Sequence, residues 1–263
     1  MGPNGTLCPG FPGEVASCAQ TKTSAPRSGW ARSIGALYKV SLICHQVAVM
    51  GILQTSELLG YPEMIEGFLH YPAFLDSGTQ ADLLRQLERA MAAAPLYTPH
   101  MPRTGRPFSV RMTNLGELGW VSDRKGYRYQ ATHPETGRPW PPILPSLLHI
   151  WRTLSGYPHD PQACLVNYYR GDARMGLHRD EDEDDFSAPV LSISLGDTAV
   201  FRLGGADRSA KTRAIRLSSG DVVIMGGPSR LSYHGIDRII PQTSKLVEGG
   251  GRINFTLRRV TKP

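Results

Sequence analysis

The spacing of apolar side chains predicts two amphipathic helices. The first lies in SGTQADLLRQLERAM, where apolar residues recur with a helical period at Leu83, Leu84, Leu87, Ala90 and Met91. We expect Ser77 or Thr79 to cap its start, and the pattern ends at Pro95. The second helix is predicted in PSLLHIWRTLSGY.

After Pro161 the pattern changes to short strands separated by Gly and Asp. The predicted strands lie in ACLVNYY, PVLSISL, AVFRL, AIRLSSGDVVIMGG, LSYHGI and RINFTLRRV. An earlier segment, FSVRMTNLGELGWVSDRKGYRYQ, predicts a strand followed by a hairpin. Short, regularly spaced strands favour a β-sandwich, jelly roll or barrel, and the helices before them make the predicted fold class α+β.

The strand RINFTLR alternates between a polar and an apolar face. Arg252, Asn254, Thr256 and Arg258 lie on one face, and Ile253, Phe255 and Leu257 lie on the other. Asn167 and Tyr169 share a face of LVNYY in the same way. Because a buried charge without a partner is costly, an inward polar face predicts a ligand site.

Residues 1–60 differ from the rest of the chain. Residues 1–33 are rich in Gly, Pro, Ser and Thr and have no sustained period, which predicts disorder. Residues 34–53 are apolar but are interrupted by Lys39, His45 and Gln46, so we expect no membrane span. We expect one domain at 61–263, with residues 1–49 dispensable and Met50 as the true start.

The chain of 263 residues carries a net charge of +6. This excess permits nucleic acid, an anionic surface or an acidic small molecule as a partner, and it decides among none of them. The four cysteines, Cys8, Cys18, Cys44 and Cys164, form no C-x-x-C pair, which disfavours a zinc knuckle. We expect free thiols and a cytoplasmic monomer.

Six consecutive acids, from Asp180 to Asp185, follow His178 in this basic chain. In an extended segment, His178 and Asp180 leave the backbone on the same face. They supply two ligands of the 2-His-1-carboxylate triad that holds non-haem Fe(II). His234, predicted at the end of the strand LSYHGI, is the natural third ligand. The last two acids, Asp184 and Asp185, are expected to face water.

The inward arginines supply a reason for such a metal. Fe(II) with open coordination positions needs an electron source to activate O₂, and a 2-oxo dicarboxylate can chelate the iron through its keto and C1-carboxylate oxygens. Its far carboxylate then needs a buried cation, for which the guanidinium of Arg252 or Arg258 is suited.

The segment WVSDRKGYRY interleaves aromatic and basic side chains. These are Trp120, Tyr127 and Tyr129 with Arg124, Lys125 and Arg128. Aromatic rings can stack on bases, and cations can contact phosphates. The same segment is also compatible with an ordinary hairpin whose aromatic side chains pack in the core and whose charged side chains face water.

Residues from about 61 to 263 resemble the AlkB family of Fe(II)/2-oxoglutarate dioxygenases. The resemblance runs through MTNLGELGW, GRPWPPILP, ACLVNYYRGDARMGLHRDEDE, APVLSISLGDTAVFRLGG, GDVVIMGGPSRLSYHGI and RINFTLR. It implies a double-stranded β-helix, a jelly-roll variant, at about 162–260, with N-terminal helices and a nucleotide-recognition lid at about 104–140.

The resemblance also implies oxidative dealkylation of bases such as N1-methyladenine and N3-methylcytosine in the repair of alkylated DNA. An N-methyl group is hydroxylated, formaldehyde is released, and 2-oxoglutarate becomes succinate and CO₂. Single-stranded DNA is the favoured partner, with RNA as a second candidate, because a base in a duplex must be flipped out.

Individual roles follow from the same resemblance. It implies that His178, Asp180 and His234 bind Fe(II), and that Asn167, Tyr169, Arg252, Asn254 and Arg258 surround 2-oxoglutarate, with Arg252 on its distal carboxylate. It implies that Trp120 stacks on the base with His178 on the other face, that Asp182 meets the exocyclic amine, that Tyr127 and Arg208 meet the backbone or base rim, and that Met112 lines the lid. Met225 departs from the family pattern, which has a tryptophan beside the cofactor.

Two alternatives stay open at this point. One keeps the iron and 2-oxoglutarate but acts on a small molecule or a protein side chain. The other is a non-catalytic cupin-like binding module, against which the intact set of three metal ligands argues.

Overall fold

The computed structural model describes residues 65–263, and the extension predicted at residues 1–60 lies outside them. Both predicted helices are confirmed, as α1 (Ser77–Met91) and α2 (Pro145–Leu154). The described strands are β1 (Phe68–Tyr71), β2 (Arg111–Gly116), β3 (Gly119–Asp123), β4 (Gly126–Gln130), β5 (Ala163–Tyr169), β6 (Met175–His178), β7 (Val190–Gly196), β8 (Thr198–Leu203), β9 (Arg213–Leu217), β10 (Val222–Met225), β11 (His234–Ile240) and β12 (Arg252–Arg258). The strand-rich region predicted after Pro161 is therefore confirmed.

Ten of these strands form two antiparallel sheets. The larger sheet has the order β1-β10-β7-β12-β5-β2, and the smaller has the order β6-β11-β8-β9. In the larger sheet Arg252 of β12 lies opposite Tyr169, and Asn254 lies opposite Asn167 on one side and Ser194 on the other. This register brings polar side chains from three strands into one row.

The two faces of the larger sheet bury different groups. Its outer face packs against both helices through a shared apolar cluster in which Leu83, Leu87, Leu147 and Trp151 are fully buried. Each of these three leucines contributes about 1.5–3 kcal/mol of burial free energy. Its inner face and the smaller sheet enclose a cavity of about 450 Å³. The polar face of β12 therefore points inward, as the alternation predicted.

The predicted cap of α1 was wrong by one residue for Ser77 and by three for Thr79. Asp76, rather than Ser77 or Thr79, is the N-cap, and its Oδ1 accepts a hydrogen bond from the backbone N–H of Thr79 at 2.7 Å. Asp76 is still extended, so its carboxylate can reach the free N–H groups of the first turn. Neither helix of the described region has the length and apolarity needed to cross a membrane.

Strands β3 and β4 form the predicted hairpin as a separate two-stranded sheet, with Trp120 opposite Tyr129. The side chain of Asn114, on β2, ties the hairpin to the larger sheet. It accepts a hydrogen bond from the N–H of Trp120 and donates one to the carbonyl of Trp120, each at 3.0 Å. These two hydrogen bonds hold the backbone of Trp120, whose side chain lines the cavity.

Candidate metal and cofactor site

Three side chains converge where β6 and β11 pair. His178 ends β6, Asp180 follows two residues later, and His234 begins β11. Asp180 Oδ1 lies 3.9 Å from His178 Nε2, and Asp180 Oδ2 lies 3.9 Å from His234 Nε2. One ligand atom from each residue lies within 4.8 Å of the others, so one metal ion can contact all three.

The position predicted for His234 was wrong in one respect. It begins a strand instead of ending one, because the residues before it continue in turns from a 3₁₀ helix at Gly227–Ser229. The antiparallel pairing of β11 with β6 then places His234 directly opposite His178.

Backbone carbonyls determine which ring nitrogen each histidine offers. Nδ1 of His178 donates to the carbonyl of Gly176 at 2.9 Å, and Nδ1 of His234 donates to the carbonyl of Ser232 at 3.0 Å. Both Nε2 atoms are left with a lone pair, as a metal ligand requires. Burial, and then the neighbouring His178, lower the pKa of His234 to about 4, so its ring is neutral at pH 7.

Asp180 is buried and remains ionised. Burial alone would raise the pKa of its carboxyl, but Arg258 and the two histidines hold that pKa well below its usual range. Arg258 donates from Nη2 to Oδ1 at 2.9 Å and from Nε to Oδ2 at 3.1 Å. This two-point contact orients the carboxylate as well as stabilising its charge.

Arg252 lies in the same cavity, with 1% of its surface exposed. Its Nη2 donates to Ser194 Oγ at 2.9 Å, and its guanidinium carbon lies 5.4 Å from the centre of the Tyr169 ring. Its Nε and Nη1 are buried without a hydrogen-bond partner among the described residues. Buried free donors on a cation fit the carboxylate of a bound molecule.

Asn254 organises the polar row beside Arg252. Its Nδ2 donates to Ser192 Oγ at 2.7 Å and to the carbonyl of Ile193 at 3.0 Å. Its Oδ1 accepts from Thr256 Oγ1 at 2.9 Å and from Asn167 Nδ2 at 3.4 Å. Asn167 Oδ1 is buried without a partner within the described region, so the row keeps one free acceptor.

The substrate residues expected from the sequence also line this cavity: Trp120, Tyr127, Asp182, Arg208 and Met112. Trp120 Nε1 donates to Asp182 Oδ2 at 2.7 Å, and the indole stacks on Tyr127 with ring centres 5.5 Å apart. Arg208 is exposed beside Tyr233. Met225, at the end of β10, is buried against the same space.

A family comparison decides what this arrangement is. The family model of the 2OG-Fe(II) oxygenase superfamily matches residues 67–258. The chain belongs to this superfamily. As a member it is an Fe(II)/2-oxoglutarate-dependent dioxygenase that uses O₂, and the AlkB resemblance of the sequence is confirmed.

Individual relatives of this oxygenase agree. It is 50% identical over 220 residues to an alpha-ketoglutarate-dependent dioxygenase AlkB homolog of Caulobacter vibrioides, covering 84% of this chain and 98% of that protein. It is 37% identical over 133 residues to the nucleic acid dioxygenase ALKBH1 of Mus musculus, covering 48% of this chain and 33% of that protein.

A solved structure supports the fold. The structure of OsALKBH1 aligns with a TM-score of 0.63 at 32% identity, covering 75% of this chain and 99% of that one. The jelly-roll oxygenase fold predicted from the sequence is thereby confirmed.

The residues present fit the groups that the superfamily uses. His178, Asp180 and His234 offer the three ligands for Fe(II). The free donors of Arg252 and the free acceptor of Asn167 show that the cavity has unsatisfied polar groups ready for a small acid. Together with the family membership, this sets aside the binding-module alternative.

The six acidic residues from Asp180 to Asp185 differ in burial, and the sequence did not indicate which of them are buried. Asp184 is exposed as expected, but Asp185 is buried and accepts hydrogen bonds from Tyr157 and Ser187, so the expectation that it faces water was wrong. Glu183, to which the sequence assigned no role, is also buried and pairs with Arg230. Both positions lie between strands, where no alternation distinguishes inside from outside.

Proposed function

We propose that this dioxygenase repairs DNA by removing alkyl groups from N-alkylated bases such as N1-methyladenine and N3-methylcytosine. One observation carries the proposal: Trp120 and Asp182 meet in the cavity that also holds the two histidines and Asp180. The indole offers a stacking surface for a base, and the carboxylate can accept from an exocyclic amine. The name of the relative from Mus musculus, a nucleic acid dioxygenase, supports this substrate class.

Asp182 also favours a damaged base over an undamaged one. N1-methyladenine and N3-methylcytosine are cations, and a carboxylate attracts a cation more strongly than it attracts a neutral ring. A base that covers Asp182 removes it from water, which strengthens this attraction.

Each part of the cavity has a task in the reaction. The oxidation of the N-alkyl carbon is supplied by Fe(II), 2-oxoglutarate and O₂ when these are bound, and a hydroxylated methyl group leaves as formaldehyde. Trp120 and Asp182 position the base, and Arg252 holds the distal carboxylate of 2-oxoglutarate. Arg258 keeps Asp180 ionised and oriented.

We further propose that residues of about 104–140 form a lid over the base and that single-stranded DNA is preferred, with RNA as a second substrate. A base stacked in a duplex cannot reach the cavity without leaving the stack. Arg124 and Lys125 are exposed at the turn of the β3–β4 hairpin, where they can contact phosphates beside an extruded base.

Formaldehyde release from a panel of oligonucleotides tests the proposal. Methylated single strands should release formaldehyde, and the same strands without the methyl group should not. Trp120→Ala should lower release from methylated DNA roughly 5- to 150-fold, because stacking on one base is worth about 1–3 kcal/mol. Its turnover of 2-oxoglutarate without nucleic acid should stay near that of the wild type.

Two results would count against the proposal. Equal losses of both activities in Trp120→Ala would mean that the indole serves the structure alone. Turnover of 2-oxoglutarate stimulated by a small molecule or a peptide, but by no methylated oligonucleotide, would move the substrate to that other class.

A further inference from the structure

Three side chains from separate parts of the chain contact the Glu183 carboxylate, two by hydrogen bonds and one as an ion pair. The hydroxyl of Tyr129, on β4, donates to its Oε1. Arg230, which follows the 3₁₀ helix, donates from Nη2 to its Oε2 at 3.1 Å. Arg258, on β12, places its Nε 3.5 Å from Oε1. Glu183 itself is 4% exposed, so water contributes little to this arrangement.

The Nε of Arg258 lies between two carboxylates. It is 3.1 Å from Asp180 Oδ2 and 3.5 Å from Glu183 Oε1. Any movement of Glu183 towards Arg258 would draw the guanidinium away from Asp180. The Tyr129 hydroxyl occupies the Oε1 atom that competes, and so it favours the contact between Arg258 and Asp180.

Arg230 fixes the backbone of the same segment. It donates from Nη1 to the carbonyl of Asp180 at 2.7 Å and from Nε to the carbonyl of Ala188 at 2.9 Å. Both arginines and both carboxylates of this group are buried. Breaking one contact in such a buried group leaves a charge that nearby water cannot compensate.

We propose that Glu183 is a positioning residue that links the β3–β4 hairpin to the metal site. Its hydrogen bond from Tyr129 depends on the position of the hairpin. Its contact with Arg258 affects how that guanidinium orients the Asp180 carboxylate. The observed position of the hairpin and metal binding then stabilise each other, as any coupling between two sites must be reciprocal. This link does not depend on which substrate the enzyme takes.

Tyr129→Phe tests the link, with Mn(II) as a redox-stable probe whose free concentration is read by electron paramagnetic resonance. We expect Tyr129→Phe to bind Mn(II) about 10-fold more weakly, the lower end of the effect of outer-shell partners, because Tyr129 acts on Asp180 through Glu183 and Arg258. Tyr157→Phe is a matched control, because its hydroxyl also donates to a carboxylate of the acidic run, that of Asp185. It should bind Mn(II) like the wild type.

Hydrogen–deuterium exchange gives a second readout that a purely structural role would not change. Adding Mn(II) should slow exchange of the amides at 119–130 in the wild type and in Tyr157→Phe, and should leave them unchanged in Tyr129→Phe. Wild-type Mn(II) affinity in a folded Tyr129→Phe variant would overturn the proposal. If Tyr129→Phe does not fold, hydrogen–deuterium exchange of the wild type tests the proposal by itself. Exchange at 119–130 that Mn(II) does not slow would also overturn the proposal.

Discussion

Arg252 combines almost complete burial with two guanidinium nitrogens that have no partner in the described region. Removing a cation from water lowers the pKa of Arg252, so the folded chain bears a cost at this position that a bound anion relieves. The neighbouring Ser194 and Tyr169 hold the guanidinium in place without satisfying it. The proposed role of Arg252 on the distal carboxylate of 2-oxoglutarate would satisfy both nitrogens.

We predict that Arg252→Ala raises the KM for 2-oxoglutarate far more than it lowers kcat, because the lost contact is remote from the reacting carbon. Truncating a buried, charged hydrogen bond costs about 2–5 kcal/mol, or roughly 30-fold to several thousand-fold in affinity. Steady-state succinate formation measures this change.

Arg259→Ala serves as the control for Arg252→Ala. The side chain of Arg259 donates to the carbonyls of Thr261 and Asp160, and it is not among the residues that line the cavity. Its KM should stay unchanged. An unchanged KM in Arg252→Ala would show that a different cation holds the carboxylate.

Strand alternation explains which of these residues could be predicted. Arg252, Asn254 and Arg258 alternate with apolar neighbours, and that period alone places them on one face. Glu183 and Arg230 lie in irregular segments, so their pairing across 47 residues leaves no periodic signal. The direct contact between Trp120 and Asp182 was likewise invisible, since it depends on how a separate hairpin sits over the sheet.

At the level of elements, the turn between β9 and β10 is organised by one carboxylate. Asp221 accepts hydrogen bonds from the backbone N–H groups of Ala73 and Ser218, at 2.9 Å each, and pairs with His70 of β1 at 2.9 Å. Asp221 directly precedes β10. It therefore connects β10 to its partner strand β1 and to the segment between β1 and α1.

We predict that Asp221→Asn destabilises the fold near neutral pH and that the difference shrinks in acid. Burial alone would raise the pKa of Asp221, but hydrogen bonds from His70, Ala73 and Ser218 outweigh it and lower that pKa. A lowered pKa adds stability above the unfolded value of about 4, and this stability is lost as pH falls through the folded value. Urea unfolding from pH 7 to pH 3 measures the difference.

The control for that experiment is Asp82→Asn, on the exposed face of α1. Asp82 bonds only to Arg85 and Gln86 of its own helix among the described residues. It should show a small and nearly constant difference in unfolding free energy. If the difference in unfolding free energy between the wild type and Asp221→Asn stayed constant with pH, the charge of Asp221 would not stabilise this turn.

At the scale of the whole molecule, exposed basic side chains lie on the same chain segments as residues that line the cavity, between Met101 and Phe108 and between Trp120 and Tyr127. Arg103 and Arg106 are exposed before β2, Arg124 and Lys125 are exposed at the hairpin turn, and Arg208 is exposed beside Tyr233. The net charge of +6 in the full sequence has the same sign. An anionic strand would therefore be attracted to the face that holds the proposed site.

We predict that binding of a methylated single strand weakens as salt rises and that replacing both Arg124 and Lys125 by Ala makes this dependence shallower. Each lost phosphate contact lowers the slope of log affinity against log salt by about 0.7 on a single strand. Fluorescence anisotropy between 50 and 200 mM salt, on the order used for such titrations, measures the slope.

The matched control replaces Arg85 and Arg89, two basic residues of α1 on the outer side of the larger sheet, by Ala. Its slope should equal that of the wild type. Equal slopes in all three proteins would mean that the hairpin turn does not touch the strand.

Fold class and the presence of a hairpin were predictable at this scale because helix and strand periods differ and because α1 and α2 precede most of the strands. The order of strands in each sheet was not, since β1 pairs with β10 across more than half of the described region. Such distant pairings depend on packing between whole layers, which no local pattern records.

The hydrogen bond of 2.7 Å between Trp120 and Asp182 has a consequence for how long the enzyme stays at each nucleotide. For the proposed substrate, the amine of an entering base competes with the indole N–H for the Asp182 carboxylate. A neutral base exchanges one hydrogen bond for a similar one and departs quickly, whereas a cationic base also gains charge attraction and is retained. The enzyme can then sample many intact nucleotides rapidly and pause only at a lesion.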